Sequence, residues 1–173
     1  MDTDDRVVGA ADKLEAHRTG VLHRAFSVFV FDTQGSLLLQ QRARGKYHSG
    51  GLWTNTCCGH PRPGDTTAAA AARRLREEMG IACAFREAGS FVYRAEVGGG
   101  LVEHELDHVF VGRCDREPRP ATAEVAGWRR VALGDLRTEL DRAPTRFTTW
   151  FPRALAVALG AEALVRDQGR DRG

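Results

Sequence analysis

The 173-residue chain has no apolar run long enough to cross a bilayer, which takes about 20 consecutive apolar residues. Its first residues, Met1-Asp2-Thr3-Asp4-Asp5, are acidic and lack the basic-then-apolar order of a secretory signal. A cytoplasmic protein with no membrane partner is expected. Cysteine is sparse, and Cys57, Cys58, Cys83 and Cys114 form no Cys-x-x-Cys pair, which disfavours a zinc ribbon. Cys57 and Cys58 are adjacent and badly placed to bond each other, so all four read as free thiols in a reducing compartment. A dominant charge is also lacking. The 25 basic and 23 acidic residues leave a formal charge of +2, which argues against nucleic acid as a partner and confines any basic patch to one locality. No internal repeat is present.

What remains is an ordinary globular composition, 42% hydrophobic and 28% charged. A chain of this length can bury a core without staples. One domain is expected over 1–173, a monomer by default, with about 1–8 and 165–173 frayed. Residues 25–31 are aromatic and β-branched and read as a strand. Asp32-Thr33-Gln34-Gly35 turns the chain into a second strand, 36–41. A long irregular loop rich in glycine and proline is expected from Arg42 to about Pro63. A helix over 66–79 follows, alanine-rich and stopped by Gly80. Strands are expected over 85–97 and 101–111, joined by Gly98-Gly99-Gly100, then a short strand at 127–131. Helices at 133–140 and 150–164 close the pattern. The mixed order predicts an α+β sandwich around a mixed sheet.

Four constellations carry chemistry. The helix segment Arg73-Arg74-Leu75-Arg76-Glu77-Glu78-Met79-Gly80 sets its carboxylates in the last turn, against the helix dipole. A solvated face with weak ion pairs is the plain reading; a helix presenting carboxylates to a metal and arginines to phosphate is the functional one. Cys57-Cys58-Gly59-His60-Pro61 places a thiol where a metal or cation can tune it, although a lone cysteine is more often an inert core thiol. Glu103-His104-Glu105 puts both carboxylates on one strand face, and its apolar flanks imply burial, where paired carboxylates favour a cation over solvent. His17 and His23 complete, with His60, a three-histidine, two-carboxylate set suited to Zn²⁺, Mn²⁺ or a similar ion. Asp107 and His108 follow that strand face, and the sequence suggests no role for them.

These features resemble a known family. Gly59, Asp65, Arg73, Arg74, Leu75, Glu77, Glu78, Gly80 and Ile81 follow the Nudix box, with Asp65 in place of its first Glu and Arg74 in place of the Glu of its Arg-Glu pair. The loss of that carboxylate weighs against a Nudix hydrolase of a nucleotide or other diphosphate. The run Trp53-Thr54-Asn55-Thr56-Cys57-Cys58-Gly59-His60-Pro61, with Leu22-His23-Arg24-Ala25-Phe26-Ser27, Tyr93-Arg94-Ala95, Val102-Glu103-His104-Glu105 and Phe147-Thr148-Thr149-Trp150, resembles the type I isopentenyl diphosphate isomerases. The resemblance implies a Nudix-type α/β/α sandwich and a small diphosphate substrate. It implies that Cys58 and Glu105 carry protons, that Tyr93 supports Glu105, and that Trp150 faces a cationic intermediate. His17, His23, His60, Glu103 and Glu105 would bind one divalent metal (Mn²⁺, Zn²⁺ or Mg²⁺). Glu78 and the backbone carbonyl of Cys58 would hold Mg²⁺ against the diphosphate, whose oxygens Lys13, Arg42, Lys46 and Arg74 would contact. No flavin is expected.

Overall fold

The structure, a computed structural model, describes residues 1–170, with side chains through Gly160. In chain order it runs α1 (Lys13–Thr19), β1 (His23–Phe31), β2 (Leu37–Arg42), β3 (Trp53–Thr54), β4 (Cys57–Gly59), α2 (Thr67–Met79), β5 (Phe85–Glu96), β6 (Val102–Arg113), β7 (Val125–Val131), α3 (Leu133–Arg142) and α4 (Phe151–Arg170), with a short 3₁₀ turn at Pro144–Arg146.

β1 is central and almost wholly buried, because its residues are apolar on both faces. It pairs in parallel with β6 along its whole length. Its other edge is shared: β2 takes only Val30 and Phe31, and β4 takes Phe26, Ser27 and Val28. β2 leaves β1 to pair with β7 and β3, so the sheet divides beside the middle of β1. Thr56 fills the fork: its hydroxyl accepts from Val30 N at 2.9 Å and donates to Leu38 O at 2.6 Å, replacing ladder bonds that separation would leave unmade.

The two faces of the sheet bury different cores. On one lies α2, whose fully buried Ala70 and Ala71 let the helix sit close to Phe26, Val28 and Val30. Thr66 caps it, accepting from Ala69 N, and Gly80 ends it at φ 66°, where an added Cβ would lie 2.5 Å from Arg119 O. On the other lie α3 and α4, whose Leu136, Phe151, Ala154 and Leu155 pack on Phe29, Phe31, Val109 and Val111. The result is the expected α/β/α sandwich around a mixed sheet.

The stretch expected to be irregular between Arg42 and Pro63 contains β3 and β4, which are too short to show a period of their own. α1 was not anticipated. It is only seven residues long, yet Asp12 caps it through Leu14 N and Glu15 N and Gly20 ends it at φ 66°. The first residues, expected to fray, form no helix or strand, but Asp5 is tied down: it accepts from Arg24 at 2.7 Å and lies 3.4 Å from His108. At the other end α4 extends beyond the expected limit of Leu164 to Arg170, and the fraying expected of 171–173 lies outside the described residues.

Candidate active site

The core beneath α4 becomes polar toward one end of the sheet. Along one face of β6, Val111 and Val109 give way to Asp107, Glu105 and Glu103. On β1 the same face runs from Phe29 to Ser27, whose hydroxyl donates to Asp107 at 2.8 Å. The change opens a cavity of about 310 Å³. Lys13, Arg42, Lys46, Cys58, His60, Arg74, Glu78, Tyr93, Glu103, Glu105 and Trp150 all line it, so most of the sequence-predicted residues converge there. His17 and His23 stand behind this lining, reaching Glu105 Oε1 at 3.9 and 3.4 Å, while His60 Nε2 reaches it at 2.8 Å.

Four of the five residues expected to hold one metal come together: donor atoms of His17, His23, His60 and Glu105 all lie within 4.8 Å of one another. The remaining one, Glu103, falls in an overlapping group with His17 and His48, and His48 Nε2 lies 3.3 Å from it. The sequence reading missed His48, which stands in a loop with no periodicity to mark it. The donors fit a divalent ion. The Nδ1 atoms of His17 and His23 are engaged by the carbonyls of Lys13 and Val21, which turns each Nε2 toward the group, where that of His17 meets the Tyr47 hydroxyl at 3.4 Å and that of His23 lies 3.4 Å from Glu105. Burial pushes His60 down to about 4 and His48 down to about 3, so both rings are neutral, the form that ligates metal.

The two glutamates are tuned apart. Burial alone would raise Glu105, but the imidazoles of His60 and His23, at 2.8 and 3.4 Å from its Oε1, outweigh burial and hold the carboxyl well below its usual range. Burial, and the charge of Glu105 alongside, push Glu103 up. Tyr93, opposite Glu105 in the β5–β6 ladder, offers its hydroxyl to Glu105 at 2.6 Å and to Glu103 at 3.1 Å. Burial and these carboxylates keep that phenol protonated. Burial, with Glu105 beside it, also pushes Asp107 well up, against the hydrogen bond that it accepts from Ser27. His108, on the opposite face, pairs with Glu87 at 2.7 Å.

Cys58 is placed by backbone pairing, opposite Ser27 across the β4–β1 ladder. Asn55 holds the turn before it, donating to Cys57 O at 2.6 Å and accepting from Trp150 Nε1 at 3.1 Å. Cys58 and Trp150 are thus positioned by one amide. Burial pushes the Cys58 thiol up to about 12, against the charge of Arg42, whose Nη1 lies 3.7 Å from the sulfur. Cys58 is therefore a thiol at neutral pH. Arg42 also stands over the Trp150 ring, 5.4 Å from its centroid. Cys57, fully buried among Phe26, Val28 and Leu75, belongs to the α2 core.

At the cationic end, Arg74 pairs with Glu78 and with Glu77, the latter at 3.0 Å. Gln40 donates to the second oxygen of Glu78 at 3.1 Å. Asp65, at the first acidic position of the box, accepts from Arg73 at 2.9 Å and lies outside the cavity lining. A further carboxylate, Glu124, joins Lys46 and Arg74 and has no counterpart in the sequence reading.

The description "NUDIX domain" matches residues 21–151. An isopentenyl-diphosphate Delta-isomerase of Serratia proteamaculans is 50% identical over 166 residues, 96% of this chain and 92% of that protein. One from Burkholderia multivorans is 54% identical over 151 residues, 87% of this chain and 86% of its own. Among solved structures, a MutT NUDIX hydrolase from Burkholderia pseudomallei superposes with a TM-score of 0.61 at 21% identity, covering 78% of this chain and 96% of that one, which speaks to the fold alone. The chain belongs to the Nudix domain family and, within it, to the isopentenyl-diphosphate Delta-isomerases.

Proposed function

We propose that the chain interconverts isopentenyl diphosphate and dimethylallyl diphosphate by adding a proton at one end of the allylic unit and removing one from the other. The observation that carries this is the position of a thiol, Cys58, and a carboxylate, Glu105, on the two strands that flank β1, around one cavity that also holds Lys13, Arg42, Lys46 and Arg74. The relatives of about 50% identity that bear the isomerase name support it.

The chemistry needs one group to give a proton and another to take one, and no net proton is consumed. Protonating the terminal alkene carbon leaves a tertiary carbocation, and loss of a proton from the neighbouring methylene forms the new double bond. Water would capture such an ion, so the reacting carbons must sit in a dry pocket. Trp150, 4% exposed, offers the ring face that stabilises positive charge. Tyr93 steadies the proton inventory of Glu105 through its hydroxyl. His17, His23, His60 and Glu105, with Glu103 close by, are the residues to hold a divalent ion, and Glu78 with the Cys58 carbonyl those to hold Mg²⁺ with the diphosphate. A cation bound at the His/Glu group supplies positive charge that lowers the proton affinity of Glu105. Arg74, in place of a box carboxylate, gives the diphosphate a binding group instead of a base for water. The setting we expect is the cytoplasm, with a monomer needing no nucleic-acid or membrane partner.

The test is incubation with isopentenyl diphosphate and Mg²⁺ in D₂O. Deuterium in dimethylallyl diphosphate is the expected result. Release of phosphate or pyrophosphate without isomer, or no turnover, overturns the proposal.

A further inference from the structure

Glu124 occupies a position that the isomerisation chemistry does not explain. One of its oxygens meets the Lys46 ammonium and the other lies 3.2 Å from Arg74 Nη2, so one carboxylate bridges two of the cations assigned to the diphosphate. Its backbone is fixed from both sides. Glu124 O accepts from Ala43 N at 2.9 Å, and Glu124 N donates to Ala121 O at 2.9 Å. Ala121 N in turn donates to Glu78 O at 2.9 Å, and Arg119 N to Met79 O at 2.8 Å. The segment before β7 is thereby stapled to the end of α2, which carries Arg74 and Glu78, and to the loop after β2, which carries Lys46. Glu124 lines the cavity where these elements meet.

A carboxylate here has two opposing consequences. It draws Lys46 and Arg74 toward one point before any ligand arrives, which lowers the ordering cost of binding. It also penalises any bare anion. A metal-free diphosphate entering between the cations must take them from Glu124, and it leaves that charge unpaired beside Glu78 and against the incoming phosphates. A diphosphate that brings a divalent cation restores a positive neighbour to the displaced carboxylate.

We propose that Glu124 is a positioning residue that makes this subsite selective for the metal-complexed diphosphate over the bare anion. The inference rests on reading the cavity as a diphosphate site. The test is titration calorimetry with inorganic pyrophosphate, with and without Mg²⁺, on the wild-type protein and on Glu124→Gln and Glu124→Asp, with circular dichroism to compare their folding. In the wild type, Mg²⁺ is expected to tighten pyrophosphate binding. In Glu124→Gln the bare anion should bind more tightly, and the ratio of the two affinities should fall about tenfold, as for loss of one charge-assisted contact. Glu124→Asp, which keeps the charge on a shorter arm, should retain most of the ratio but bind both forms more weakly. An unchanged ratio in a folded Glu124→Gln overturns the inference and leaves the diphosphate reading intact. A wild type that binds no pyrophosphate in either condition overturns both.

Discussion

The two ends of the cavity are built on different terms. At the His/Glu end the centre is deeply buried, with His17 0% exposed and the Glu105 side chain 7%, while His23 and His60 stand at its edge at 17% and 20%. Their rings and carboxyls come from α1, β1, β6 and the segment after β4, and the packing of those elements fixes where they meet. At the cationic end the side chains are wetter, with Lys46 and Arg74 22% and 24% exposed, and both share Glu124. A buried polar group left without its partner has no water to turn to, whereas a partly exposed cation does. Errors at the first end should damage function steeply, and errors at the second should be graded. Cys58 stands between the two, touched by Arg42 from one side and paired through β1 to the acidic strand on the other.

The steepest outcome is expected at that junction. Cys58→Ala should slow isomerisation by a factor on the order of 10²–10⁴, the usual worth of a general acid or base, while metal content measured by elemental analysis is unchanged. A rate within tenfold of wild type would remove Cys58 from the chemistry. Next comes the buried end. His60→Asn should weaken binding of Mn²⁺ or Zn²⁺ by more than about 100-fold in competition with a chelator, beyond what loss of an outer partner costs. Chelation should lower the thermal midpoint of the wild type by removing roughly 2.7 kcal/mol at a metal concentration 100 times Kd, and should barely move that of His60→Asn. If the two proteins respond alike, the histidine cluster is structural only.

The wetter end should respond less. Lys46→Met is expected to raise KM for the diphosphate substrate by roughly tenfold with a smaller change in kcat, since it removes binding shared by ground and transition states. A loss confined to kcat would erase the distinction between the two ends. The smallest effect concerns the thiol itself. Because burial raises Cys58 to about 12, its alkylation in metal-free protein should increase about tenfold per pH unit from pH 7 to 10, following the thiolate fraction. Arg42 lowers that value, so Arg42→Met should slow the reaction a few-fold at fixed pH, by about the worth of one partly screened charge. Peptide mapping of the alkylated site measures both.

Much of the scaffold was legible locally. Thr66, the alanines and Gly80 mark α2 by cap, face and stop, and the alternation along β6 places Glu103 and Glu105 on one face from the sequence alone. α1 carried a readable signal as well, with Asp12, Glu15 and Gly20 as cap, first-turn acid and stop, but seven residues gave no periodicity to support it. β3 and β4 were illegible because their pairing partners lie on other strands. The site divided in the same way. The Thr-Asn-Thr-Cys-Cys-Gly-His-Pro run pointed to Cys58 and His60 through family resemblance, whereas His48 and Glu124 sit in loops whose residue types are common on any surface. Asp107 and His108, unexplained from sequence, take opposite roles by facing opposite sides of β6, one bonded to buried Ser27 and the other to Glu87, with Asp5 3.4 Å away.

By itself the sequence determined the longer helices and strands, which faces are apolar, and which residue types are available for acid, base, metal and phosphate. These follow from interactions within a few residues, where backbone periodicity and capping act. Only the tertiary structure decided that the sheet forks beside β1, that Thr56 and Asn55 hold the fork, and that Glu103 meets His48 while Glu105 takes His60. Those contacts join residues far apart in the chain, and the packing of two cores on one twisted sheet determines which of them meet.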